Sequence, residues 1–173
     1  MQPLSKGLRN QLERTVMTAR EVAEEAARVA LEELGVGEAR PYEHLSSEEK
    51  GLRQRLRAYG RNLGDKRDPE RTTQSIDRLV EDVAYQHWHR MLFARFLAEN
   101  DLLMYPDPEN PVPVSLEECA ELAPDFGAEN AWDLAGRFAA EMLPQVFRAD
   151  SPVFELKLPL EYQIELEGLV AGL

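Results

Sequence analysis

The first part of the chain places apolar residues at intervals of three and four, the spacing of one face of an α-helix. This pattern extends from Leu8 to Leu34, and its middle is rich in alanine. The apolar positions are Leu8, Leu12, Val16, Ala19, Ala23, Ala26, Ala30 and Leu34. The following Gly35-Val36-Gly37 is typical of a helix C-terminus. The sequence therefore predicts one long amphipathic helix whose small residues allow close helix packing.

A second amphipathic pattern follows, and it carries a row of cations. Ser46 and Glu49 have the spacing of a capping box, which marks a helix start. Four apolar residues then fall within an arc of about 60° on a helical projection: Leu52, Leu56, Tyr59 and Leu63. Four basic residues fall on the opposite side, within about 80°: Lys50, Arg53, Arg57 and Arg61. We expect the apolar face to pack on the body and the basic row to face solvent.

The remaining elements are also predicted to be mainly helical. Apolar residues cover a wide face between residues 73 and 103, as expected of a central helix packed on several sides. Four prolines within residues 105–114 predict an extended loop. Beyond it, Ser115 and Glu118 form a second capping-box pattern, and three further helical segments follow. Residues 154–159, "FELKLP", are predicted to be a brief strand or an extended segment.

Together these patterns predict an all-α fold, an irregular bundle of about five to seven helices. A Pro-rich linker, 105–114, is expected between an N-terminal part with long helices, 1–104, and an acidic helical part, 115–173. We expect these parts to form one compact domain.

Charge is distributed unevenly along the chain. The net charge is −12, yet residues 101–173 contain only 3 of the 20 basic residues and 15 of the 32 acidic ones. In contrast, the segment from Lys50 to Arg71 contains eight basic and three acidic residues. A local basic segment on an acidic protein can still contact a polyanion. The overall acidity argues against indiscriminate binding of nucleic acids.

The sequence contains no complete catalytic or metal-binding motif. A single cysteine, Cys119, excludes an internal disulfide and a cluster of thiolate metal ligands. His87 and His89 are about 200° apart on a helix and are not expected to chelate one metal. Gly35-Val36-Gly37 lacks the preceding strand that a cofactor loop requires. No apolar run reaches the ~20 residues that span a bilayer, and no secretory signal is seen, so we expect a cytoplasmic protein without a membrane partner.

Residues 79–103, "LVEDVAYQHWHRMLFARFLAENDLL", resemble a segment in the N-terminal helical region of large adenine-specific DNA methyltransferases. These are the PglX group of BREX phage-defence systems and related type IIG restriction–modification enzymes. The matching positions are Ala84, Tyr85, Trp88, Arg90, Arg95, Phe96 and Asn100. "LRQRLRAYGRNLGD" and "AAEMLPQVFRADSPVFELKLP" resemble the basic helix and the pre-catalytic stretch of the same family. The family often has Trp-Phe-Asn where this chain has His87-Trp88-His89.

The resemblance implies a module without chemistry of its own. In this family S-adenosylmethionine is held by a downstream glycine loop, and the target adenine meets a downstream Asn-Pro-Pro-aromatic motif. Residues 1–173 contain neither, because Asn110-Pro111-Val112-Pro113 lacks the second adjacent proline and the aromatic residue. Catalytic residues, a cofactor and a metal are therefore not expected in this chain. S-adenosylmethionine is expected only in the downstream catalytic domain.

The expected partners are DNA, the downstream methyltransferase domain and other phage-defence proteins. Contacts to the DNA backbone are predicted for six basic residues: Lys50, Arg53, Arg57, Arg61, Lys66 and Arg67. An equally open alternative is that this row is only a solvated face. Core and ion-pair positions are predicted for six residues of the central helix: Tyr85, Trp88, Arg90, Arg95, Phe96 and Glu99.

The sequence is also compatible with two rival functions. In the first, the acidic residues 101–173 dock another component of a defence complex and DNA never touches the chain. In the second, the chain is an acidic inhibitor that mimics DNA, which predicts acidic residues in paired rows over one surface.

Overall fold

The computed structural model describes residues 5–148 and 150–173. This part of the chain contains six α-helices, one short 3-10 helix and no β-strand. The α-helices are α1 (Lys6–Glu33), α2 (Ser47–Leu63), α3 (Asp77–Glu99), α4 (Leu116–Leu122), α5 (Ala131–Met142) and α6 (Leu160–Ala171). The prediction of an all-α fold with five to seven helices is confirmed.

The chain divides into two compact units. The first comprises the described residues up to His87, together with Ser151–Leu169 and Leu173. The second comprises Trp88–Asp150 and Val170–Gly172. The Pro-rich residues 105–114 therefore lie inside the second unit, not between two units.

In the first unit, α1 is a long helix whose apolar face is only partly covered. Its buried positions begin at Ala19 and continue through Leu31. Near its start, Leu8 and Leu12 of this face remain 50% and 39% exposed. The helix ends as predicted, because Gly35 adopts a left-handed conformation with φ 65° and the Val36 amide donates to the Leu31 carbonyl.

Helices α2 and α3 begin where side chains cap their free amides. The Ser46–Glu49 capping box of α2 is present, as predicted. Helix α3 begins at Asp77, four residues after the predicted start. The buried Asp65 carboxylate accepts hydrogen bonds from the amides of Arg78 and Leu79, at 2.9 and 3.1 Å. Such bonds satisfy the amides that a helix N-terminus leaves without partners.

The second unit has its own apolar core around α4 and α5. Phe138 on α5 is 2% exposed, and its ring packs edge-on against Tyr105 and Phe126. The Pro-rich loop folds back on itself, with the Tyr105 amide bonded to the Val112 carbonyl at 2.8 Å. The Ser115–Glu118 capping box is present at the start of α4, as predicted.

The C-terminal elements differ partly from the prediction. Residues Pro152–Glu155 form a 3-10 helix, and no strand is present in residues 154–159. The strand alternative for this segment is therefore wrong. The closing helix is present as α6. Within the described residues, no helix combines the length and the apolar character needed to cross a membrane.

Candidate nucleic-acid interface

The predicted row of solvent-facing cations on α2 is interrupted by two buried arginines. Arg53 and Arg57 are only 6% and 8% exposed, so the prediction that they face solvent is wrong. Arg53 donates to the carbonyls of Gly35 and Glu38, at 2.8 and 2.6 Å. The Arg53 guanidinium group is therefore bound to the protein's own backbone.

Arg57 makes the larger set of these contacts. It donates to the Val36 carbonyl at 2.7 Å, to the Thr72 carbonyl at 3.0 Å, and also to the Glu38 carbonyl. Carbonyls in the turn after α1 have no helical partner and need donors from elsewhere when they are buried. The two arginines supply those donors and fix the turn to α2.

Burial next to like charges disfavours the charged form of Arg57. Desolvation lowers its pKa, and the nearby Arg53, Arg61 and Arg67 lower the pKa further, whereas Glu38 raises it. Desolvation also lowers the pKa of Arg53. Four guanidinium groups therefore share one region of the first unit, which gives that region a positive potential.

A short hairpin-like loop continues this basic region beyond α2. Residues 66–75 are closed by an isolated bridge between Arg67 and Gln74 and by a hydrogen bond from the Ser75 amide to the Lys66 carbonyl, 2.9 Å long. Gln74 is 6% exposed; it donates to the Arg57 carbonyl and accepts from Arg61, each at 3.0 Å. The loop is thereby held against α2 by specific polar contacts.

Two acidic residues at this loop, Asp65 and Asp68, accept hydrogen bonds from backbone amides. The Asp68 carboxylate accepts from the amides of Glu70 and Arg71, at 2.9 and 3.1 Å. Asp65 caps α3 in the same manner. Within the described residues, no carboxylate lies within 4.0 Å of the cationic groups of Lys66, Arg67 or Arg71.

The exposed cations of α2 and the loop form what we call the basic patch, composed of Arg61, Lys66, Arg67 and Arg71. All four are exposed. Lys50 is exposed too, but it lies eleven positions before Arg61 in the helix, about 16 Å at the usual rise. Of the six predicted contact residues, the structure thus groups three, isolates Lys50, and buries Arg53 and Arg57. Arg71 was not among the predicted residues, although the charged string "GDKRDPERT" contained the signal.

In the central helix, two residues expected in the core are exposed. Tyr85 and Phe96 are 53% and 54% exposed, so their assignment to the core is wrong. Trp88 is half-buried. The hydrophobic pattern of α3 is too broad to distinguish covered positions from uncovered ones, because apolar residues surround most of the helix.

Two arginines of α3, Arg90 and Arg95, are paired within the second unit. Arg95 pairs with Glu99 at 2.8 Å, as predicted, and also donates to the Val170 carbonyl. Arg90 is half-buried and lies 3.8 Å from the Asp133 carboxylate. A Cβ atom at Gly136 would lie only 2.3 Å from Arg90 Nε, so the glycine makes room for this side chain. These contacts have the character of structural ion pairs.

His87 and His89 lie in packed surroundings. His87 Nε2 lies 3.0 Å from the Val153 carbonyl oxygen, and the His89 ring packs near Phe93 and Phe147. Burial lowers the pKa of His89. In the described part of the chain, no group of three His, Cys, Asp or Glu side chains is arranged to hold a metal ion.

Cys119 is expected to be unreactive in the folded protein. Its thiol is fully buried, and burial raises its pKa to about 11. At pH 8 only about one thiol in a thousand would be thiolate, the reactive form. We expect Ellman's reagent to label Cys119 rapidly in denaturant and only slowly without it. Equal labelling rates in the two conditions would contradict the buried position.

Comparison of the chain with protein-family models, with curated proteins and with solved structures gave no match.

Proposed function

We propose that this chain is a non-catalytic helical module of an adenine-specific, S-adenosylmethionine-dependent DNA methyltransferase of a bacterial phage-defence or restriction–modification system. In this proposal the module acts in the cytoplasm and helps to hold DNA for a catalytic domain that lies downstream. The basic patch touches the DNA backbone. S-adenosylmethionine belongs to the downstream domain, together with the adenine-binding motif.

One observation supports the DNA contact above the others: within the described residues, no carboxylate forms an ion pair with a cation of the basic patch. Its neighbouring carboxylates, Asp65 and Asp68, accept backbone amides instead of pairing with the cations. The buried Arg57 lies close to Arg61 and Arg67 and adds positive potential there. Clustered cations repel one another, and a phosphate backbone relieves that repulsion.

Such contacts position DNA without reading its sequence. Arginine and lysine on phosphate oxygens set the register and orientation of the duplex, whereas base edges carry the sequence information. The patch lies on a helix end and a loop held by Gln74, which gives it a fixed geometry. The proposal therefore assigns recognition of the target sequence to other parts of the enzyme.

Uncovered apolar residues support the second part of the proposal, packing on the catalytic domain. Leu160 and Ile164, one turn apart on α6, are 72% and 59% exposed. Leu8 and Leu12, one turn apart on α1, are 50% and 39% exposed. Exposed apolar side chains at helical spacing are typical of surfaces that pack against another protein element.

The DNA contact is tested by neutralising the patch in the full chain. We expect Lys66→Gln, Arg67→Gln and Arg71→Gln together to weaken binding of a short fluorescent DNA duplex about tenfold or more at low salt. The slope of log affinity against log salt should become shallower by about 0.9 for each phosphate that the variant no longer neutralises. Fluorescence anisotropy over a series of salt concentrations measures both quantities.

A matched variant separates a local contact from a general charge effect. Lys6→Gln, Arg9→Gln and Arg14→Gln remove the same three charges from the exposed start of α1. We expect this variant to bind DNA nearly as well as the original chain. Equal weakening in both triple variants, or no measurable DNA binding by the original chain, would refute the role of the basic patch.

A further inference from the structure

A wide groove lies on the first unit, away from the residues of the basic patch. Its volume is about 1180 Å³, and it is partly open to solvent. The end of α1, the turn after it, the start of α2 and residues 155–157 form its walls. This volume exceeds the roughly 300–1000 Å³ of ordinary small-molecule pockets. The size and the open side fit a polypeptide segment better than a small molecule.

The groove combines apolar and aromatic surfaces. Leu52 is a partly exposed apolar lining residue. Leu34, Leu45 and Leu156 also line the groove but expose only 5–7% of their surface. Tyr42 stacks on His44, with ring centroids 5.5 Å apart and an interplanar angle of 16°. A Cβ atom at Gly35 would lie 2.8 Å from the Tyr42 ring, so the glycine allows the ring to lie against the backbone. The lining therefore offers sites for aliphatic and aromatic anchors.

Carboxylates dominate the charged part of the lining. Five glutamates line the groove, against Arg55 and Lys157: Glu32, Glu33, Glu48, Glu49 and Glu155. Two of these glutamates are engaged within the protein. Glu49 belongs to the capping box of α2, and Glu155 pairs with Arg55 at 2.5 Å. In the described structure, the side chains of Glu32, Glu33 and Glu48 are exposed and have no cation within 4.0 Å.

Two of these exposed carboxylates lie at positions where a negative charge does not stabilise the helix. Glu32 and Glu33 lie in the last turn of α1, which has no basic residue. The C-terminal end of a helix carries a partial negative charge, so acidic side chains there are unfavourable. Arg53 donates to the Gly35 carbonyl at this helix end, so the negative charge of this wall of the groove comes from the exposed carboxylates.

From this combination we propose that the groove binds a cationic amphipathic segment of a partner protein. Lysine or arginine side chains of the partner would pair with Glu32, Glu33 and Glu48. Its aliphatic or aromatic side chains would pack on Leu52 and on Tyr42. Apolar anchors in a groove with charges at the rim are the common mode of binding for amphipathic peptides. The acidic lining disfavours DNA, so the groove and the basic patch select opposite kinds of partner.

The proposal is tested by selecting from a displayed library of random peptides, each about 12 residues long, with the full chain as the target. Peptides of this length suit recognition in a groove. We expect the selected peptides to be enriched in lysine or arginine together with leucine or aromatic residues. A synthetic copy of the most enriched peptide, labelled with a fluorophore, is then titrated by anisotropy. Selection of peptides without an excess of cations would overturn the proposal.

Matched variants locate the binding site of that peptide. We expect Glu32→Gln, Glu33→Gln and Glu48→Gln together to weaken its binding about tenfold, the sum of three modest ion pairs. The control neutralises three exposed glutamates of the second unit: Glu109→Gln, Glu121→Gln and Glu141→Gln. It should change the affinity by less than about threefold. Similar weakening in the two triple variants would show that the peptide binds the acidic protein nonspecifically and would overturn the proposal.

A second variant tests the apolar contact independently of charge. Tyr42→Ala is expected to weaken peptide binding about tenfold, because aromatic anchors dominate such interfaces. Circular dichroism should show the same helix content in all variants. Unchanged affinity of the Tyr42→Ala variant for the peptide would contradict the predicted binding site. The groove variants, measured in parallel, should bind DNA as well as the original chain does. A failure of the peptide-binding test can therefore be distinguished from a failure of the DNA-binding test.

Discussion

Replacing Arg57 with methionine is expected to lower the free energy of unfolding by about 3–5 kcal/mol. The guanidinium donates to three backbone carbonyls, those of Val36, Glu38 and Thr72. Methionine fills similar space but donates no hydrogen bond. The Val36 and Thr72 carbonyls would lose this donor, and each carbonyl left buried without a partner carries a desolvation cost. The Glu38 carbonyl would keep its bond from Arg53. Urea unfolding followed by far-UV circular dichroism measures the change in midpoint and slope.

Arg55→Met is the matched control in the same helix. Arg55 is two residues away, and its side chain is 52% exposed in an ion pair with Glu155. Because water solvates both charges, an exposed ion pair contributes little to stability. We therefore expect Arg55→Met to leave the unfolding midpoint nearly unchanged. A decrease in stability of the same size in both variants would contradict the structural role assigned to Arg57.

The helices were predictable because their signals are local. The capping boxes at Ser46 and Ser115 and the glycine after α1 act within a few residues of the helix ends that they define. The start of α3 was not predictable in this way. Asp65 reaches it from the preceding loop, and Gln74 is drawn into a bridge. Contacts across a loop leave no periodic signal in the sequence.

The candidate site, too, could be predicted only in part from the basic segment. Helical periodicity placed Arg53 and Arg57 opposite the apolar face of α2, but it contained no information about the turn that follows α1. That turn presents carbonyls that need donors, and the two arginines are within reach. Local charge did predict the region of the basic patch. Which of its cations remain exposed depended on tertiary contacts.

The groove was not predictable from the sequence at all. Its walls come from four separate segments between residues 30 and 157. The positions of Tyr42 and Leu156 along the chain give no sign that they line the same surface. A surface assembled from distant segments has no motif, and only the structure shows which charges share it.

The other large loss of stability is expected from a substitution in the apolar core of the second unit. Phe138→Ala is expected to lower the free energy of unfolding by about 3–5 kcal/mol, the usual cost of removing a buried aromatic ring. Phe138 is 2% exposed, and its ring lies 6.0 Å from that of Tyr105 and 5.3 Å from that of Phe126. Alanine would leave a cavity that the surrounding helices cannot fill without moving. The same urea titration measures the effect.

Phe126→Ala provides the control, because Phe126 belongs to the same aromatic cluster but is 37% exposed. A partly exposed ring transfers less area from water and leaves an opening that water can enter. We expect a decrease below about 2 kcal/mol for this variant. The difference between the two variants depends on burial, since both remove a phenyl ring from one cluster. Equal decreases would therefore show that Phe138 does not occupy the centre of this core.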